Sequence, residues 1–386
     1  MPIRPFLAAL LLTGIMLPSS AAAGPALLFD AQSGRVLYAE DQDDLWHPAS
    51  LTKIMTAYVV FEALRSGHLT LETKAKYSEA AHAQPPSKVG LPVGAEMSID
   101  TAIKALIIKS ANDVAVLLAE AVSGSEARFV DRMNETAARL GMTRTRFVNA
   151  SGLPAADQVT TARDLARLAR AVVRDFPEYN HYWAMPDMRL GKVRMGTHNQ
   201  LLKTFEGSDG MKTGFICDSG FNLVASATRE GVRLMAVVLG ERTGAERTLR
   251  AQSLLEHGFN THAWAALFGA PTVDSPVTSE VAKDVVSVRN LLRSSECGSR
   301  VRRVIEAKQK AKQQRAKTAA AAKTAEPVEA AGQAEGSVAA KNGSADRKAG
   351  TADSTPAGGA AKTPARPKPN PKQGAAAASS TATKSQ

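Results

Sequence analysis

Cysteine is scarce in this chain, with two in 386 residues, Cys217 and Cys297. So low a count says little by itself, though two cysteines in an exported protein could pair. It leaves open whether the two pair or remain free thiols. Long apolar runs are also missing. The N-terminal one, Phe6 to Pro18, is about 13 residues, where a membrane-spanning helix needs roughly 20. With Arg4 before it and an Ala-x-Ala site ending at Ala23 after it, residues 1–23 read as a signal peptide. The mature chain is therefore expected to be exported. The seven histidines, among them His47, His181, His198 and His257, show no His-x-x-x-His spacing. They read as structural or surface residues, and neither a metal nor a cofactor is expected.

An evenly distributed basic surplus is absent too. The formal net charge is +11, but residues 301–386 hold 16 Lys+Arg against 6 Asp+Glu, a net of +10, and Arg4 supplies the rest. The body between is neutral. With no nucleic-acid-binding motif present, nucleic acid is excluded as a partner. From about Arg302 the chain has no Trp, Tyr or Phe and consists largely of Ala, Lys, Pro, Gly, Ser and Thr. Such a segment cannot bury enough apolar surface to offset its ordering entropy, so 301–386 reads as a disordered basic tail. Residues 24–265 form the candidate domain, and 266–300 its end or linker.

Within that domain "ALLFDAQSGRVLYAED" reads as a hairpin turning at Gln-Ser-Gly, and "FNLVASATREGVRLMAVVLG" as a second turning at Arg-Glu-Gly. Between them, Leu51 to Ala63 is apolar almost all round and should be a buried helix. Thr101 to Lys109 and Asp113 to Val122 read as helices separated by "SAN". Thr161 and Asp164 read as a capping box opening another helix, and "RTLRAQSLLEHGF" as a closing helix ended by Gly258. Strands at both ends of the domain with helices between them imply an antiparallel sheet shared by its termini.

Chemistry enters at "HPASLTKIM". Ser50 and Lys53, three apart at a helix start, lie on one face. A serine hydroxyl becomes a nucleophile when a neighbouring base takes its proton, and a lysine serves as that base only when neutral. Alone, the pair reads more simply as an N-terminal serine followed by a snorkelling lysine. "KSAND" adds Ser110 and Asn112 in a break between helices, and "DGMKTGF" adds Lys212, Thr213 and Gly214 before a strand pattern. The ordered set Ser-x-x-Lys, Ser-x-Asn, Lys-Thr-Gly is specific where each element alone is not.

With these motifs and "TTARDLARLA" and "LLEHGF", roughly residues 24–265 resemble the serine D-Ala-D-Ala carboxypeptidases, the low-molecular-mass penicillin-binding proteins. The resemblance implies an α+β fold, an antiparallel sheet flanked by helices plus a mostly helical subdomain, with the site in the cleft between. It implies Ser50 as nucleophile, Lys53 as its base and Ser110 as proton relay to the leaving D-alanine. Asn112 would hold the substrate amide, and Lys212, Thr213 and Gly214 would line the opposite wall with Arg247 against the terminal carboxylate. The Ser50 and Phe215 N–H groups would form the oxyanion hole. After Lys-Thr-Gly, the family usually has a threonine two residues on and then an Ala-Gly pair. Here the chain runs Phe215-Ile216-Cys217-Asp218-Ser219-Gly220. The implied partners are peptidoglycan stem pentapeptides and β-lactams as covalent inhibitors, with the tail as an electrostatic contact to wall or membrane surface. The implied location is the periplasm or cell-wall space. A D,D-endopeptidase would use the same residues. A serine β-lactamase is disfavoured because no Glu-x-x-Leu-Asn segment lies between Asn112 and Lys212. A non-catalytic wall-binding protein is disfavoured by the intact motifs.

Overall fold

The structure is a computed structural model and describes residues 24–265, 269–277, 284–292 and 297. The signal-peptide reading of 1–23 and the tail reading of 301–386 lie outside the described residues. In chain order, β1 (Ala26–Asp30) and β2 (Val36–Glu40) are followed by α1 (Thr52–Arg65), β3 (Lys74–Lys76) and α2 (Glu79–His82). Next come β4 (Glu96–Ser98), α3 (Ile99–Lys104), α4 (Asn112–Ser123), α5 (Glu126–Arg139) and α6 (Ala162–Asp175). The last third holds β5 (Asp187–Leu190), β6 (Val193–Gly196), α7 (Leu201–Thr204), β7 (Ser208–Ile216), β8 (Gly220–Arg229), β9 (Val232–Glu241) and α8 (Gly244–Ala265).

One antiparallel sheet, ordered β2-β1-β9-β8-β7, joins the two ends of the domain. Its centre is apolar on both faces, so β8 and β9 read as continuous hydrophobic runs. Alternation then sorts the side chains into two cores. Leu27, Phe29, Val224, Met235 and Val237 face the core of α1 and α6. Ala26, Leu28, Leu223, Ala225 and Val238 face α8 through Ala251 and Leu255. α1 is buried from Thr52 to Phe61, as its all-round apolar sequence implies. Among the described residues no helix is long and apolar enough to cross a membrane.

Three local expectations are corrected. Gly258 does not end α8, which continues to Ala265. A Cβ there would sit 2.8 Å from both Leu234 and Leu28 side chains, so this glycine serves close helix–sheet packing instead. Only half of the capping box forms. Thr161 Oγ1 accepts from Asp164 N–H, but the Asp164 carboxylate turns to Arg144 N–H and Thr145 Oγ1. Lys212 to Gly214 lie inside β7 rather than before it, on the outer strand of the sheet.

Beyond α8 the chain returns across the domain. Val36 N–H donates to Pro271 O and Val273 N–H to Gly34 O, while Arg163 and Arg167 of α6 donate to the carbonyls of 272–275. Farther on, Val286 N–H donates to Leu45 O, Val288 N–H to Asp218 O, and Cys297 is disulfide-bonded to Cys217, their Cα atoms 5.7 Å apart. The two cysteines, left open by the sequence, are paired.

Candidate active site

Ser50 sits in a 3-10 turn, Ala49–Leu51, that leads into α1. Helical spacing carries Lys53 back over it, and the Lys53 Nζ to Ser50 Oγ distance is 3.0 Å. Lys53 is fully buried, and two further partners fix its protonation chemistry. Nζ donates to Asn112 Oδ1 at 2.8 Å and to Ser151 O at 2.5 Å. The amide of Asn112 is oriented by its own Nδ2–H, which donates to Pro85 O. Both lysine partners are acceptors. A neutral amine spends its two N–H groups on them and leaves its lone pair facing the Ser50 hydroxyl. Burial, then the charge of Lys212, holds Lys53 well below the usual lysine range against the opposing pull of Asp113.

The second motif is set by backbone. α3 ends in a wide π-helical turn, Ala105–Lys109, and Ser110 follows in the left-handed region at φ 58°. That kink turns Ser110 Oγ into the cleft and lets α4 begin at Asn112. Asp113, wholly buried, accepts from Val89 and Gly90 N–H and holds the 86–90 segment against the site. The third motif comes from β7. Lys212 Nζ donates to Ser110 Oγ at 2.9 Å and to Thr213 O at 3.0 Å. Burial first, and Arg247 second, pull its pKa down to about 7. Ala49, Ser110 and Met211, one in each motif region, are non-glycine residues at positive φ. Strain of this kind gathers where surrounding structure over-determines a site.

Gly214 explains its own identity. A Cβ there would lie 3.0–3.2 Å from Pro48 O, Ser50 N and Leu51 N, so glycine lets β7 lie directly on the Ser50 turn. On the other side, Gly152 at φ +83° abuts the Ala49 carbonyl, where no Cβ fits. Ile216 N–H and C=O both turn toward Ser219, on the β8 side. By strand alternation the Phe215 N–H points away from β8, to the free edge of β7.

These walls enclose a cleft of about 560 Å³ lined by Ser50, Ser110, Asn112, Thr213, Phe215 and Arg247, among others. Arg247 is buried rather than an exposed helical arginine. Its Nη1 donates to Asn222 O at 3.5 Å, its Nη2 to His198 O at 3.3 Å, and burial pulls its pKa down to about 10. No aspartate or glutamate lines this cleft among the described residues. One end is therefore an uncompensated cationic pocket fitted to an anion. All nine residues singled out from the sequence meet in or against this cleft. Three contributors escaped sequence reasoning. His198 lines the wall, its pKa lowered by desolvation and by Lys212, Lys109 and Arg247. Its solitary position gave no signal. Ser151 contributes only a carbonyl, and Asn222 braces the turn by donating to His47 O. Neither is visible to a reading of side-chain spacing.

The profile of the family described as D-alanyl-D-alanine carboxypeptidase, Peptidase_S11, matches residues 14–243. The sequence is 39% identical over 240 residues to D-alanyl-D-alanine carboxypeptidase DacC of Escherichia coli, covering 60% of each chain. It is 36% identical over 248 residues to DacA of Haemophilus influenzae, covering 63% of each. The match thus spans less than two thirds of these relatives' length. Among solved structures, penicillin binding protein 5 from Haemophilus influenzae superposes with a TM-score of 0.61 at 35% identity, covering 63% of this chain and 72% of that one. Penicillin-Binding Protein D2 from Listeria monocytogenes, in its cefotaxime-bound form, gives 0.57 at 32%, covering 61% and 97%.

Proposed function

The chain belongs to the D-alanyl-D-alanine carboxypeptidase family, and from that premise we propose that it is a serine-type D,D-carboxypeptidase removing the terminal D-alanine from peptidoglycan stem pentapeptides. The observation that carries this reading is the buried Lys53 Nζ, within reach of Ser50 Oγ and of the Asn112 and Ser151 acceptors, an arrangement that leaves a neutral amine its lone pair for Ser50. Lys53 takes the Ser50 proton as Oγ attacks the carbonyl of the penultimate D-alanine. The developing oxyanion is met by the N–H groups of Ser50 and Phe215, whose preorganisation lowers the barrier. The substrate's terminal carboxylate lies at the cationic end, against Thr213, Lys212 and Arg247, while Asn112 holds the peptide amide. Lys212 donates to Ser110, which passes a proton to the departing amine. Water then hydrolyses the ester on Ser50.

β-Lactams would acylate the same oxygen, a reading supported by the cefotaxime-bound form of the Listeria relative. A cleft with no carboxylate to activate deacylating water favours a long-lived penicilloyl ester over β-lactamase turnover. We place residues 24–265 as the peptidase domain, 266–300 as its end, 1–23 as the export signal and 301–386 as a basic tail. The enzyme would then work in the periplasm or cell-wall space, with the tail as its contact to anionic polymers or headgroups. The test is product analysis. Purified protein should release free D-alanine from a soluble pentapeptide faster than it cleaves a cross-linked dimer. Cleavage of the dimer alone would make it an endopeptidase, and turnover of neither would refute the proposal.

A further inference from the structure

The two oxyanion donors stand on different pieces of chain: Ser50 on the turn before α1, Phe215 near the free end of β7. What fixes the one against the other? Gly214 sets the contact between them, but an outer strand has no neighbour beyond it to hold its end. The structure supplies a substitute in the segment that returns after α8. On the β7 side, Cys217 is bonded to Cys297 and the Asp218 carboxylate takes a two-pronged grip from Arg289, Nε to Oδ1 at 2.8 Å and Nη2 to Oδ2 at 2.6 Å. Ser287 Oγ donates to the same carboxylate, and the Val288 side chain fills the space above Gly220. Toward Ser50, Val286 N–H donates to Leu45 O, and next to it the Trp46 indole N–H donates to Ser219 O at 2.9 Å. The segment thus touches both pieces of chain that carry the donors. A planar guanidinium on a carboxylate fixes direction as well as distance, which a single hydrogen bond does not.

We propose that residues 286–291 with Cys297 form a positioning strap, which aligns the Phe215 N–H against the Ser50 N–H by holding the Cys217–Ser219 turn. The inference rests on the oxyanion reading given above. The strap touches no substrate and acts through β7. It makes acylation depend on an intact disulfide, a dependence that a dithiol can probe. A dithiol thiolate attacks one cystine sulfur, and its second thiol closes the reagent's own disulfide. Cys217 and Cys297 leave as thiols, with two electrons and two protons transferred.

The experiment measures non-covalent Kd and the acylation rate constant k2 separately, by stopped flow with a chromogenic cephalosporin. It uses the full chain, Arg289→Ala, Arg289→Lys, Cys297→Ser and dithiol-reduced wild type. Loosening the turn should lower k2 about tenfold, short of the ~100-fold or more that loss of a whole oxyanion donor costs. Kd should stay within about twofold, because the cationic end of the cleft is untouched. Arg289→Lys, which keeps the charge and loses the fork, should recover only part, and reoxidation of the wild type should restore k2. If Cys297→Ser fails to fold, Arg289→Ala and reversible reduction carry the same comparison. Unchanged k2 in folded variants, or Kd and k2 weakening together with a falling Tm, overturns the strap while leaving the active site standing. A wild type that is never acylated overturns both.

Discussion

Lys53 and Lys212 are both buried, and neither touches a carboxylate. Burial penalises the ammonium form of each, the charge of Lys212 further lowers Lys53 and that of Arg247 further lowers Lys212, so the pair is built to hold fewer than two protons at neutral pH. Free-enzyme kcat/KM should follow a bell. It rises as Lys53 loses its proton and falls as pH passes about 7 and Lys212 loses the charge it uses toward the carboxylate and Ser110. A profile flat from pH 6 to 9 would contradict this. Lys53→Ala should cut acylation at least ~100-fold, the usual cost of losing a general base. Stability follows the opposite logic. The folded pKa of Lys212 lies below its unfolded value of 10.5, so the unfolded chain binds more protons between about 7 and 10.5 and stability rises with pH across that window. Lys212→Met should therefore raise Tm at pH 7, by about 2–4 °C per kcal/mol recovered, with the gain shrinking toward pH 10. These residues were legible as types at a spacing. Their protonation was not, because it depends on burial and on the approach of Lys212 to Lys53 and of Arg247 to Lys212, charges distant in sequence that meet only in the fold.

At the level of elements, the hairpins, the buried helix and the sheet shared by the domain's ends could be read from periodicity, since two-residue and 3.6-residue patterns record burial directly. Junctions could not. The π-helical turn before Ser110 and the left-handed Ala49 answer to tertiary contacts, and Gly258 looked like a terminator because a helix glycine usually is one. Packing against Leu28 and Leu234 overrode that local rule. Gly258→Leu should accordingly destabilise the protein by about 1–3 kcal/mol in urea unfolding, as overpacking does. A stabilised variant, as helix propensity alone implies, would show that the close approach is not real. The motif glycine gives the sharper version. In Gly214→Ala a Cβ presses on the backbone of the Ser50 turn, so acylation should fall with little change in Tm.

For the whole molecule, charge and chemistry are separated along the chain. The net +10 of residues 301–386 sits outside a neutral catalytic body. Truncation after Ser299 keeps Cys297 and every residue of the cleft, so rates on soluble pentapeptide should not change. On intact sacculi the full chain should be faster at low salt, with the advantage lost as salt screens the tail within roughly 10 Å at 0.1 M. Equal rates on sacculi would remove the tethering role. The proposed chemistry makes Ser50 Oγ the acylated atom and Lys53 its base. It is tested most directly by mass spectrometry of tryptic peptides after brief exposure to penicillin. A penicilloyl mass is expected on the peptide containing Ser50, absent in Ser50→Ala and nearly absent in Lys53→Ala. An adduct on any other residue, or labelling that survives Ser50→Ala, would contradict it.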